Sequence, residues 1–245
     1  MSSIYDDSRS GESSKFIRSA DDFDDPIDST VEYFIDGIVD MGSTSIEVPA
    51  TGINLTGRNF DVSKLISSEN NYTMFTSPGG GSGNVLGKDY AIEVTGTNSK
   101  VYDLTSATGN DAFEFARINY NNCASLGEID GYRQGLESGT GRFGGTPNLI
   151  MSGAWAGGYF IDNSIVRNLV DGSYALFEEG TSFTMQSRFR SNQNIDLNTT
   201  VAFLDFSASN FPNPSTLQLN ECIIVRNGAA DASDATITPN INHTL

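Results

Sequence analysis

Apolar residues recur at every second position in short pieces, each cut off by Gly, Asn, Asp or Ser. Ile53 and Leu55 alternate in this way, as do Phe60 and Val62, Ile92 and Val94, and Phe113 and Phe115. The pattern continues through Phe183 and Met185, then Ile195 and Leu197, and is clearest at Leu217, Leu219, Ile223 and Val225. Period two in short runs bounded by turn residues predicts many short strands. A helical period is hard to find, and only residues 62–68 and 165–170 could form a turn or two.

A weak internal echo sharpens the reading. Ile-Val-Arg-Asn occurs at Ile165 to Asn168 and again at Ile224 to Asn227, and Tyr120 to Leu126 is a third relative. Strands ending in Asn or Gly at irregular intervals suggest stacked coils with polar Asn ladders at the turns. The expected fold is all-β, a right-handed parallel β-helix (solenoid), with a β-sandwich as the alternative.

Before Val31 the pattern is absent. Residues 1–30 read as a flexible N-terminal arm and residues 31–245 as the β-rich domain. Phe16, Ile17, Phe23 and Ile27 are apolar exceptions in the arm and are candidate anchors for attachment to a neighbouring subunit. Two glycine-rich stretches, Gly79 to Gly83 and Gly139 to Pro147, read as loops.

Composition narrows the classes of function. The 245 residues carry 31 acidic and 14 basic side chains, a net charge of -17. That surface repels phosphate backbones and anionic lipid, so neither nucleic acid nor membrane is an expected partner. No apolar leader opens the chain and no run of 18 apolar residues crosses a bilayer. Sequons at Asn54, Asn71, Asn198 and Asn242 reflect an Asn- and Thr-rich composition.

Candidate chemistry is sparse. Cys123 and Cys222 lack zinc-site spacing; two buried free thiols is the reading, a disulfide the alternative. The single histidine, His243, lies in a polar C-terminal stretch and suits no His-based catalysis. Gly87-Lys88 is followed by Asp89 where a phosphate loop needs Ser or Thr, so this stretch reads as a surface loop. The cluster Asp21 to Asp25 lacks calcium-loop spacing. No metal or cofactor is expected.

Glycan hydrolysis needs two carboxyl groups ~5 to 10 Å apart. Asp103, Asp111 and Glu114, or Glu128 and Asp130, or Glu178 and Glu179, are the candidates, but none stands in an apolar sequence setting that would raise its pKa. No catalytic residue is therefore assigned. Trp155, between Gly153 and Gly157, and nearby Tyr159 are the candidate ligand-binding aromatics, because small neighbours leave a ring face open to a sugar.

The stretches Gly153 to Asn168 and Leu217 to Asn227, with Ile237 to Ile241, resemble β-helical structural proteins of tailed bacteriophages. These form a broad pectate-lyase-like group that includes tailspikes and fibres. The likeness spans residues 46–245 and rests on texture: Asn, Gly and short β-branched strands. It implies a homotrimer, a virion location, attachment to other virion proteins through the N-terminal arm, and a host glycan as a further partner. Some such proteins cleave glycans, so a glycan depolymerase or lyase on the same scaffold is the alternative function. The chain shows no obvious cap after its last strand near Leu245, where a solenoid needs one.

Overall fold

The structure, a computed structural model, describes residues 13–138 and, beyond them, 142–145, 149–155, 157, 159–162, 165–166, 175–178, 181–183, 186–190, 195–198, 204–205, 216–220, 224–227 and 237–238. The described strand ladders are all parallel. The chain visits three faces in a fixed order. The first face is a nine-stranded sheet that opens with Ser13–Ile17, Val31–Ile35, Ile53–Gly57, Val85–Lys88, Ala112–Ala116 and Gln134–Ser138 and ends at Thr216–Asn220. The second is six-stranded, from Ile38–Asp40 through Lys64–Ser67, Ala91–Val94, Asn119–Cys123 and Arg142–Gly145 to Ile165–Val166. The third is eight-stranded, from Ile46–Glu47 through Thr73–Thr76, Lys100–Thr105, Gly127–Asp130 and Leu149–Ser152 to Ile237–Thr238. This is a β-solenoid. A sandwich of antiparallel hairpins is excluded, because each strand pairs with its counterpart in the next coil.

Inward positions of each rung stack into columns. On the first face Tyr33, Leu55, Gly87 and Phe115 lie in register. Tyr102 packs against Phe75 (ring centroids 5.5 Å apart) and Phe113 (5.0 Å), and its hydroxyl meets that of Tyr120 at 2.9 Å. Tyr102 and Tyr120 are buried, so their hydroxyls satisfy each other where water cannot reach. Each fully buried large apolar side chain contributes roughly 1.5–3 kcal/mol. Cys123 is free and buried in this core; Cys222 lies outside the described residues.

Corners are made by residues that tolerate left-handed backbone. Asn71, Asn98 and Asn122 have φ of 54°, 57° and 50° near the passage from the second face to the third. Asn98 Nδ2 donates to Asn71 Oδ1 at 3.4 Å and the Thr97 amide to Asn70 Oδ1 at 2.8 Å, so an Asn ladder does stack there. Of the segments in the sequence echo, Asn119–Cys123 and Ile165–Val166 share the second face, whereas Ile224–Asn227 is in a separate two-stranded sheet with Ile195–Asn198.

Four sequence readings need correction. The first described strand, Ser13–Ile17, already belongs to the solenoid: it pairs residue for residue with Val31–Ile35, so residues 13–30 belong to the folded body and the arm's boundary at 30 falls inside it. Residues 64–67 form a strand, not a helical turn, because Leu65 and Ser67 point inward and Lys64 and Ile66 stay partly exposed. Gly87-Lys88 lies in a strand instead of a loop. The run Gly81 to Gly83 is packed, not flexible: the Ser82 amide donates to Thr105 O at 2.8 Å and a Cβ on Gly81 would meet the Ala107 backbone at 2.6 Å.

Candidate functional site

The residues picked out as ligand contacts and anchors are placed as follows. Trp155 is buried; its indole N–H donates to Ser152 O at 2.8 Å and its ring lies 6.1 Å from that of Tyr132. Packing over small residues here seals the ring into the core, so no face is open to a sugar. Tyr159 begins the strand Tyr159–Asp162, in register with Gly135. Ile17 and Ile27 are buried and Phe23 packs against Tyr33, so these three serve the core and not an external anchor. Phe16 alone among the four stays open, 51% exposed on the outer side of the first face beside Phe34.

The carboxylates named from sequence are spread over two faces. Asp103 and Glu128 are register neighbours on the outer side of the third face, and Thr105 and Asp130 follow one column on. Neighbouring rungs lie ~4.8 Å apart, so the first two carboxyls project side by side. Each is already engaged: Lys100 Nζ sits 2.9 Å from Asp103 Oδ2, and Ser152 Oγ donates to Glu128 Oε1 at 2.8 Å. Asp111 organises its own loop. Partial burial pushes its pKa up, but hydrogen bonds from Ser106 and Thr108 outweigh that and hold it below the usual carboxylate value. Glu178 is half-buried with its amide on Met151 O, and Glu179 lies outside the described residues.

Glu114 departs from the expectation that no candidate carboxyl has an apolar setting. It is only 6% exposed, and it is the only charged side chain buried among the described residues. The flanking Phe113 and Phe115 point inward, which turns Glu114 to the outer side of the first face. Its register neighbours there are Leu86 on one rung and Leu136 on the next. Gln134 closes the arrangement, its side-chain amide donating to Glu114 Oε1. The chain alternation Phe-Glu-Phe marks Glu114 as outward. Its burial was not legible, because the covering residues come from two other coils. A carboxylate and an amide between two leucines make a short strip of hydrogen-bonding groups on an apolar bed. A paired acid and base for hydrolysis would need a second carboxyl beside Glu114, and its register neighbours Leu86 and Leu136 carry none.

Among the described residues no group of three or more His, Cys, Asp and Glu side chains could hold a metal ion, and no helix is long and apolar enough to cross a membrane. No protein-family model, no curated protein and no solved structure matches the chain.

Proposed function

We propose that the chain is a non-catalytic structural protein of a tailed-bacteriophage particle, a fibre, spike or head component that works by assembly. One observation carries this reading: polar side chains on the outer surface are spent on joining one rung to the next. Thr56 Oγ1 donates to Glu32 Oε1 at 2.6 Å with Lys88 Nζ 3.8 Å from the same oxygen, Ser152 bonds Glu128, Asn98 bonds Asn71, and Arg117 grips Asp89. Links of this kind stiffen a rod and leave few groups free to act on a substrate.

Phe16, Ile38 and Val62, exposed by 51%, 61% and 46%, support attachment near the N-terminal end. They lie in the first three coils, where the expected contact with other virion proteins would fall. Assembly as a homotrimer follows from the resemblance to phage β-helices. Light scattering after size-exclusion chromatography tests it: three copies of the 26.3 kDa chain are expected, and a monomer at every concentration overturns the assembly reading.

A second reading has its own observation. The buried Glu114 with Gln134 favours a glycan contact, or a depolymerase, on the first face. Capsular or lipopolysaccharide glycans offered to the protein should then lose binding or cleavage in Glu114→Gln. Wild-type protein that neither binds nor cleaves them removes this alternative.

A further inference from the structure

A strap closes the N-terminal end of the solenoid. The first face begins one rung earlier than the other two, whose first strands, Ile38–Asp40 and Ile46–Glu47, follow Val31–Ile35. Between Ile17 and Val31 the chain adds no strand to either face and instead lies over the end of the core. Ala20 and Phe23 pack on that core, Ile27 is buried in it, and Ile17 in the first described rung is 0% exposed.

Carboxylates fasten the strap. Asp22 Oδ2 accepts the amides of Arg18 (2.7 Å) and Ser19 (2.8 Å) and so caps the single turn Ala20–Asp22. Asp24 accepts Lys15 Nζ at 2.6 Å and the Tyr33 hydroxyl at 2.8 Å. That same hydroxyl accepts the Asp28 amide at 2.8 Å, and Asp28 Oδ1 accepts both Thr30 N and Thr30 Oγ1. The other charged groups nearby are Asp21 and Asp25 on the strap, Arg18, and Asp36, which holds Arg18 Nε at 2.9 Å; Glu32 on the adjoining strand is turned outward to Thr56 and Lys88. Among the described residues Lys15, Arg18 and Arg58 oppose this excess of acid, Arg58 Nη2 lying 3.7 Å from Asp36 Oδ1.

We propose that residues 18–30 are an acid-releasable cap: protonation of Asp22, Asp24 and Asp28 frees the strap and uncovers the side chains of Ile17 and Tyr33 beneath it. All three carboxyls are held below their ordinary 3.8, Asp22 by the Arg18 and Ser19 amides, Asp24 by Lys15 and then Tyr33, Asp28 by Thr30. A depressed folded-state pKa means the fastening is complete above 3.8 and is lost as pH falls through the folded values.

Hydrogen exchange by mass spectrometry on the full-length protein tests this. As pH is lowered past 3.8, amides of residues 18–30 should lose protection while those of residues 85–116 keep theirs. At neutral pH, Asp24→Asn and Lys15→Met should each speed exchange in the strap several-fold, and Asp61→Asn, an exposed carboxylate outside it, should not. Strap and central rungs opening together in every variant, or a strap that stays protected in acid, overturns the cap.

Discussion

Arg117 lies one rung beyond Asp89, and its guanidinium holds the Asp89 carboxylate at both ends, Nε on Oδ1 and Nη2 on Oδ2. Both residues adopt left-handed backbone, φ 56° and 63°, at the corner between the first and second faces. Earlier coils place Arg18, Asp36 and Arg58 at that same corner, with Asp36 bonded to Arg18 and 3.7 Å from Arg58 Nη2. Sign therefore alternates from rung to rung along the corner. In an extended rod this arrangement rewards one register, because a slip by one coil would set like charges together.

The Asp89–Arg117 bond predicts a small but measurable coupling. The two side chains are 21% and 50% exposed, so screening limits the pair to ~0.5–1 kcal/mol. A double-mutant cycle of Asp89→Asn and Arg117→Gln in urea should return that coupling at low salt and a smaller one in high salt. Strictly additive losses at low salt would contradict the pairing.

Gly87 predicts a larger effect from a single methyl group. A Cβ there would meet Phe115 Cδ1 at 2.4 Å and the Tyr90 hydroxyl at 2.7 Å, so the glycine is what admits the neighbouring ring into the column. Gly87→Ala should destabilise by about 1–3 kcal/mol through overpacking. Adding Phe115→Leu should recover part of the loss in urea melts, since it removes the atoms that collide.

Much of this fold was legible because a strand announces itself locally. Phe113 and Phe115 alternate within one strand, and Asn71 and Asn98 sit at corners that only such residues tolerate well. What connects coils was not legible, because the intervals differ. Arg18, Asp36, Arg58, Asp89 and Arg117 occupy successive rungs at unequal spacings, so no period reveals them. The same irregularity hid the burial of Glu114 by Leu86 and Leu136. In the strap the polar composition of residues 18–30 masked its role, since Ile17, Phe23 and Ile27 are too few to make a periodic signal.

Trp155 separates packing from recognition. Truncation to Ala should destabilise by about 3–5 kcal/mol, because the site cannot collapse around a lost indole and Ser152 O loses its donor. Trp155→Phe should retain most of the stability. Phe16→Ser, by contrast, should leave the urea midpoint within about 0.5 kcal/mol while weakening any assembly at the N-terminal end. A Trp155→Ala protein of normal stability would return the residue to the surface.

Cys123 should be chemically silent while the fold is intact. Burial pushes its thiol up to about 12, outweighing a hydrogen bond from Val94, so almost no thiolate exists near neutral pH. Alkylation with iodoacetamide, mapped by peptide mass, should modify Cys123 only at the rate of unfolding and at once in denaturant. Fast labelling of native protein would place the thiol outside the core.

Tyrosines set the alkaline limit of stability. Burial, above all, raises Tyr33 from 10.0 to about 12; the Asp28 amide opposes this and the bond to Asp24 adds to it. Burial raises Tyr72 and Tyr132 further. A folded-state pKa above the unfolded one means the neutral phenol contributes stability that is complete below pH 10.0 and is lost as pH rises through about 12. Alkaline unfolding followed by circular dichroism and tyrosinate absorbance should therefore be cooperative in that window, with ionisation and loss of strand signal coinciding. Tyr33→Phe should weaken the protein at neutral pH, because Asp24 loses a donor and the Asp28 amide its acceptor. It should also flatten the alkaline decline, because one raised phenol is gone. Tyrosinate forming well before the strand signal falls would mean that these rings are open to water in the folded state.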